Sequence, residues 1–175
     1  MPKIIENLQE KITEEVKKQV REKGYSKLTI RSVAKALNIG TGTVYNYFSS
    51  KENMVASYMS LEWHETFNAM KEKTKDLEDP FKTIEIVFYE LLNFSFANKE
   101  LFSDPEALKS FGMVYMEKHK MLRKQIASLF EFSFAKKAKN KNEYLTEFLA
   151  EALLSWLMEG KPCLEFIDTI QPLFN

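Results

Sequence analysis

Five side chains packed into seven residues could together bind a polyanion: Thr41, Thr43, Tyr45, Asn46 and Tyr47, with Lys51 four positions further on. Hydroxyls and an amide donate to phosphate oxygens, and an amide can also pair with a base edge. The lysine adds a compact point charge that needs no fixed geometry to meet a phosphate. Such chemistry needs a rigid support that turns these groups outward.

The spacing around them supplies that support. Val44 and Phe48 lie four apart, so a helix that buries both presents the polar set on its other faces. Upstream, Ile30, Val33, Ala34 and Leu37 share one helical face, with Thr29 placed to N-cap it and Ser32 and Lys35 outside. Between the two patterns, Asn38 is a left-handed stop, Ile39 plugs the space between the helices, and Gly40 opens the second helix. Two short helices joined by a tight turn have the layout of a DNA-binding helix-turn-helix.

The run Gly42-Thr43-Val44-Tyr45-Asn46-Tyr47-Phe48, followed by Ser50-Lys51-Glu52, resembles the signature of the tetracycline-repressor-like (TetR) family of transcriptional regulators. Upstream, Gly24, Thr29, Ile30, Ala34 and Leu37 stand where that family has its glycine, capping threonine and core residues. The resemblance covers about the first third of the chain. It implies that Thr41, Thr43, Tyr45, Asn46 and Tyr47 lie on the recognition helix, that Thr29, Tyr47 and Lys51 grip phosphates, and that Phe48 is core. The chain departs from the pattern at Gly40, where a serine commonly caps the helix, and at Asn38, where glycine is common. Asn46 varies within the family, so its target is not inherited; an amide there can pair with adenine in the major groove.

Charge distribution agrees with this reading although the net charge is zero over 175 residues. Residues 1–53 hold 10 basic and 6 acidic side chains, a net +4. The remainder holds 15 against 19, a net −4, so the positive end is the end with the motif. With 45% hydrophobic and 29% charged residues the composition is that of a globular chain, and five glycines with five prolines favour long helices. No secretory signal and no apolar run long enough for a bilayer are seen, so a cytoplasmic protein without membrane attachment is expected. A single cysteine, Cys163, allows no internal disulfide.

The expected fold class is all-α: a three-helix head, residues 1–50, and a helical effector-binding and dimerisation domain, residues 51–175. Ile5, Leu8, Ile12, Val16 and Val20 predict a first helix ending at Gly24. A helix through Met54, Tyr58, Leu61, Trp63 and Phe67 runs to about Lys75. Asp79-Pro80 and Asp104-Pro105 each place a capping carboxylate before a proline at the first helical position, marking two more helix starts. A long helix follows from about Ala107 to Lys137, with a break near Gly112 in prospect, and a last pair occupies 143–159 and 163–173.

Thirteen of the fourteen phenylalanines lie after residue 60, so the second domain is rich in adaptable apolar side chains. A helical core alone accounts for them; the sharper reading is a cavity for a small hydrophobic effector lined by Trp63, Phe67, Met70, Phe88, Phe96, Phe111 and Tyr115. The wide apolar band on the helix 143–159 fits either a central helix buried by its own chain or packing against a symmetry mate; the expectation is a homodimer through Phe148, Ala152, Trp156, Phe166 and Ile170. Two-fold symmetry would pair two recognition helices on a near-palindrome of double-stranded DNA.

His64 and His119 are too scattered for a metal site, the cluster Lys136, Lys137, Lys139 and Lys141 reads as a solvated loop, and no phosphate loop or nucleophile set is present. No cofactor, metal, catalytic residue or enzymatic activity is therefore expected. The function this predicts is a sequence-specific regulator, a ligand-released repressor; the alternative is a constitutive or architectural DNA-binding protein without an effector.

Overall fold

The computed structural model describes residues 7–137 and 144–174, with side chains described for all of these except 112–119, 135–137 and 173. Ile5, Lys139 and Lys141 thus lie outside the described residues, as do the side chains of Tyr115, His119, Lys136 and Lys137. The described elements are all helical: α1 Leu8–Lys23, α2 Ile30–Ala36, α3 Thr41–Tyr45, α4 Lys51–Thr74, α5 Pro80–Ala97, α6 Lys99–Phe102, α7 Pro105–Lys137, α8 Leu145–Met158 and α9 Cys163–Ile170. Single 3-10 turns follow α1 at Tyr25–Lys27 and α9 at Gln171–Phe174.

The chain forms two compact units. The first holds residues 1–64 together with 95–112, and the second holds 65–94 with 113–175. The unit that carries the motif thus extends past residue 50 and takes in α6 and the first turns of α7.

In the first unit the α1 stripe Leu8, Ile12, Val16 and Val20 is buried against Tyr25, Leu28, Val33, Ala34, Val44 and Phe48. Met54, Val55 and Tyr58 from α4 join this core, as do Leu101 and Ala107, which lie far along the sequence. The Tyr58 hydroxyl, deeply buried, donates to Asn98 Oδ1 at 2.7 Å, so the distant segment is tied in by a satisfied polar group as well as by apolar contact. On α1, Lys17 and Arg21 are one turn apart and both pair with Glu62 of α4, the arginine at 2.6 Å.

Local chemistry explains the helix ends. Gly24 stops α1 at φ 80°, ψ 164°, a conformation open to glycine, and its N–H donates to Val20 O. Thr29 and Ser32 form a reciprocal capping box on α2, with Ser32 N–H donating to Thr29 Oγ1 at 3.0 Å and Thr29 N–H to Ser32 Oγ at 3.1 Å. Ser32 is therefore a half-buried capping residue, and its hydroxyl also donates to Gln19 Oε1. Asn38 takes the left-handed conformation, φ 54°, that turns the chain between α2 and α3. Both Asp-Pro helix starts are observed. Asp79 Oδ1 accepts from Phe81 N–H, and Asp104 Oδ1 accepts from the N–H groups of Glu106 and Ala107. Helix α7 runs unbroken through Gly112.

The core of the second unit draws on α4 (Met70), α5 (Ile84, Val87, Phe88, Leu91), α7 (Ile126, Phe130, Phe134), α8 (Leu149, Ala150, Leu153) and α9 (Cys163, Phe166, Ile170). Phe174 closes one end of it, with ring centroids 5.0 Å from Phe134 and 6.0 Å from Phe81. Leu61, read as part of the buried stripe of α4, is 41% exposed.

Candidate nucleic-acid interface

The outward face of α3 is built by what its inward face buries. Val44 is fully buried and Phe48 nearly so. Helical hydrogen bonding continues past Tyr45, since Tyr47 and Phe48 N–H both donate to Val44 O at 3.0 Å. The seven-residue stretch therefore turns as one rigid piece anchored by two apolar side chains. Thr41, Tyr45, Asn46 and Tyr47 are exposed, Tyr45 by 56% and Tyr47 by 46%, while Thr43 is half-buried. The rings of Tyr45 and Tyr47 stand in water. Here their hydroxyls lie beside a hydroxyl and an amide on one short surface, a donor set suited to phosphate and base-edge contact.

Gly40, at the N-cap of α3, has φ −71°. That value is open to any residue, so the missing serine leaves a cap unfilled without leaving a strained turn. Thr29 is exposed at the N-cap of α2 with its Oγ1 accepting from Ser32 N–H, which leaves the hydroxyl proton to donate outward.

Lys51 is placed differently from the other five. It opens α4, its side chain is 17% exposed, and its Nζ lies 3.0 Å from Glu106 Oε1 on the first turn of α7. The same ammonium sits 3.8 Å from the centroid of the Tyr25 ring. Tyr25 is fully buried, packs edge-on against Phe111 at 5.6 Å, and donates its hydroxyl to Glu52 Oε1 at 3.1 Å. Burial raises the Tyr25 hydroxyl above its ordinary range, so it stays protonated as that donor. Glu52 is held below its usual range by donors from its own backbone N–H and Ser50. Lys51 is thus a cation with a carboxylate and a ring already engaged.

Arg31 and Lys35, which sequence reasoning did not assign to the site, are exposed one turn apart on α2 and have no ion pair among the described residues. Their i, i+4 spacing was the available signal.

The residues read as an effector cavity are dispersed. Met70 and Phe88 are buried and Phe67 half-buried in the second unit. Trp63 is buried in the first unit; Phe111 belongs to the head core beside Tyr25, and Phe96 is 71% exposed. Phe111 is thus a contact of Tyr25, and Phe96 a surface ring carrying Lys99 Nζ at 5.0 Å. The side chain of Tyr115 lies outside the described residues.

Of the residues assigned to a subunit contact, Phe148 is 60% exposed, while Ala152 and Trp156 are half-buried. Trp156 donates Nε1–H to Pro162 O and meets Phe166 edge-on at 5.7 Å. Phe166 and Ile170 are buried, 2% and 4% exposed, so the amphipathic face of α9 is turned into its own unit. Among the described residues no group of His, Cys, Asp and Glu could hold a metal ion, and no helix is long and apolar enough to cross a membrane.

Residues 12–58 match the family model described as bacterial regulatory proteins, tetR family. A search of curated proteins finds no match. Among solved structures, the chain is similar to a transcriptional regulator (TerR/AcrR family) from Aquifex aeolicus VF5, at 20% identity and TM-score 0.63, covering 95% of this chain and 99% of that one. It is similar to the fatty acid degradation regulator FadR from Bacillus halodurans, at 16% identity and TM-score 0.65, covering 98% and 96%. A putative transcriptional regulator from Saccharomonospora viridis, crystallised with choline, is 14% identical with TM-score 0.63, covering 95% and 97%. Residues 12–58 thus match the model of the tetR family of bacterial regulatory proteins, on a chain that shares the fold of solved TetR/AcrR transcriptional regulators.

Proposed function

We propose that this regulator is a ligand-released repressor that binds a near-palindromic operator as a homodimer in the cytoplasm. The observation that carries the reading is the exposed Thr41-Tyr45-Asn46-Tyr47 face of α3, held outward by buried Val44 and Phe48. Tyr47 and Thr29 supply phosphate contacts, Arg31 and Lys35 add charge from the neighbouring helix, and Asn46 reads a base.

A dimer is supported by an exposed apolar line on α8. Tyr144, Phe148 and Met158 are 66%, 60% and 76% exposed and fall, with Ala152 and Ser155, at helical spacings of three and four. Leu164 on α9 is also 68% exposed. A second copy of the chain meets the self-complementarity of a two-fold contact and doubles the DNA-reading surface.

The second unit offers an apolar interior with Phe88, Met70, Phe130 and Phe134 in its core, a setting for a small hydrophobic effector. A fold neighbour crystallised with choline supports small-molecule binding by proteins of this architecture. An effector that prefers the DNA-free geometry by about 5 kcal/mol would reverse occupancy from 99:1 bound to 99:1 free.

Selection of fragments from random duplex DNA by the purified protein tests the reading. Enrichment of a near-palindrome, with binding lost in Tyr47→Ala, is expected. Absence of any enriched sequence would overturn sequence-specific regulation, and a constitutive architectural role would then account for any residual binding.

A further inference from the structure

The cation that the sequence resemblance assigns to a phosphate is the one the structure finds paired with a carboxylate. Lys51 Nζ lies 3.0 Å from Glu106 Oε1, with the Lys51 side chain 17% and the Glu106 side chain 54% exposed. To an ammonium, a carboxylate oxygen and a phosphate ester oxygen are ligands of the same kind, and lysine meets either without a fixed approach angle. The exposure of Glu106 keeps the pair partly solvated and readily broken. The buried Tyr25 ring, 3.8 Å away, gives the ammonium a second, fixed contact whichever oxygen it holds.

We propose that Glu106 is a built-in competitor for the Lys51 ammonium, so that DNA binding exchanges a carboxylate for a phosphate and the first turn of α7 sets the resting affinity. The inference rests on the DNA-binding reading given under Proposed function and adds to it a regulator of the same site. The position of Glu106 is itself fixed, because Asp104, two residues earlier, accepts from both Ser26 N–H and Ser26 Oγ in the turn that precedes the motif. A displacement of that turn of α7 alters the competition directly. Glu106 touches no DNA in this scheme. It acts through Lys51 as a positioning residue.

The test is a double-mutant cycle with the full chain, reading equilibrium binding to a selected duplex over a series of KCl concentrations. With Lys51 present, Glu106→Gln should bind about 2- to 5-fold more tightly per protomer, the range of a solvent-exposed ion pair. Lys51→Met should weaken binding and lower the slope of log K against log salt by about 0.9 per phosphate released. In the Lys51→Met background, Glu106→Gln should change nothing, and Glu106→Ala should repeat both results. Equal affinity of Glu106→Gln and wild type, or a tightening that persists without Lys51, would overturn the proposal, the latter because it reports only the loss of a negative charge. Specific wild-type binding with an indifferent Glu106 defeats this inference alone. Wild-type protein that binds no duplex defeats the DNA-binding reading as well.

Discussion

Asp104 holds Ser26 twice: its Oδ2 accepts the Ser26 hydroxyl at 2.7 Å and the Ser26 backbone N–H at 2.9 Å. Its other oxygen caps α7 through Glu106 N–H at 2.9 Å and Ala107 N–H at 3.1 Å. One carboxylate thus joins the turn after α1 to the start of a helix 78 positions on in sequence.

Desolvation pushes the Asp104 carboxyl up, but the donors from Ser26, Ala107 and Glu106 outweigh it and hold it down at about 2. The unfolded value is about 3.9, so the stabilisation is complete above that pH and is lost as pH falls from about 4 to 2. Urea midpoints measured from pH 7 to 2 should therefore drop across that window in the wild type and flatten in Asp104→Asn. Asp104→Ala should cost about 1–2 kcal/mol at pH 7 by loss of the cap.

The two glycines flanking α2 and its turn should respond in opposite ways. Gly24 sits at φ 80°, ψ 164°, so Gly24→Ala should destabilise the head by about 1–3 kcal/mol. Gly40 sits at φ −71°, and an added Cβ would meet Thr43 Oγ1 at an ordinary 3.7 Å. Gly40→Ser should then leave stability unchanged or raise it by a few tenths of about 1 kcal/mol, by filling the empty cap. Thermal melts of both variants check the contrast.

Substitutions on the outer face of α3 should separate binding from stability. Tyr47→Ala and Asn46→Ala remove exposed side chains, so unfolding free energies should move by less than about 0.5 kcal/mol. Operator affinity should fall in both. For Asn46→Ala the loss should be about 1–3 kcal/mol on the preferred base pair and absent on single-base variants there. A uniform loss over all variants would show that Asn46 reads no base.

Cys163 is 4% exposed, and burial, with a smaller push from Glu85, raises its thiol to about 11. A thiol this high is almost wholly protonated at pH 8 and screened from solvent. A thiol-reactive dye should therefore label native protein slowly and urea-unfolded protein at once. Rapid labelling of the native form would mean that α9 opens readily.

Phe148 and Phe166 offer a control pair for assembly. Phe148 is exposed and Phe166 buried. Phe148→Lys should shift light scattering from dimer to monomer with little loss of monomer stability. Phe166→Ala should instead cost about 3–5 kcal/mol of folding free energy, the usual range for a buried phenylalanine.

What the sequence determined by itself is everything whose cause spans a few residues. Thr29 caps α2, Asn38 turns the chain, Asp79 and Asp104 start helices, and the Val44–Phe48 pair turns four polar side chains outward. Each depends on dihedral preference, hydrogen bonds to the nearest turn, or helical period, and all of these are written in neighbouring letters. Tertiary structure decided which of several apolar faces meets which. It brought Leu101, Ala107 and Phe111 into the head core, turned Phe166 and Ile170 inward, and left Phe96 and Leu61 in solvent. It also gave Lys51 a carboxylate 55 positions away. Hydrophobic burial has no direction, and an ion pair needs proximity in space and not in sequence. Partners chosen by those forces depend on the packing of the whole chain and leave no local mark in it.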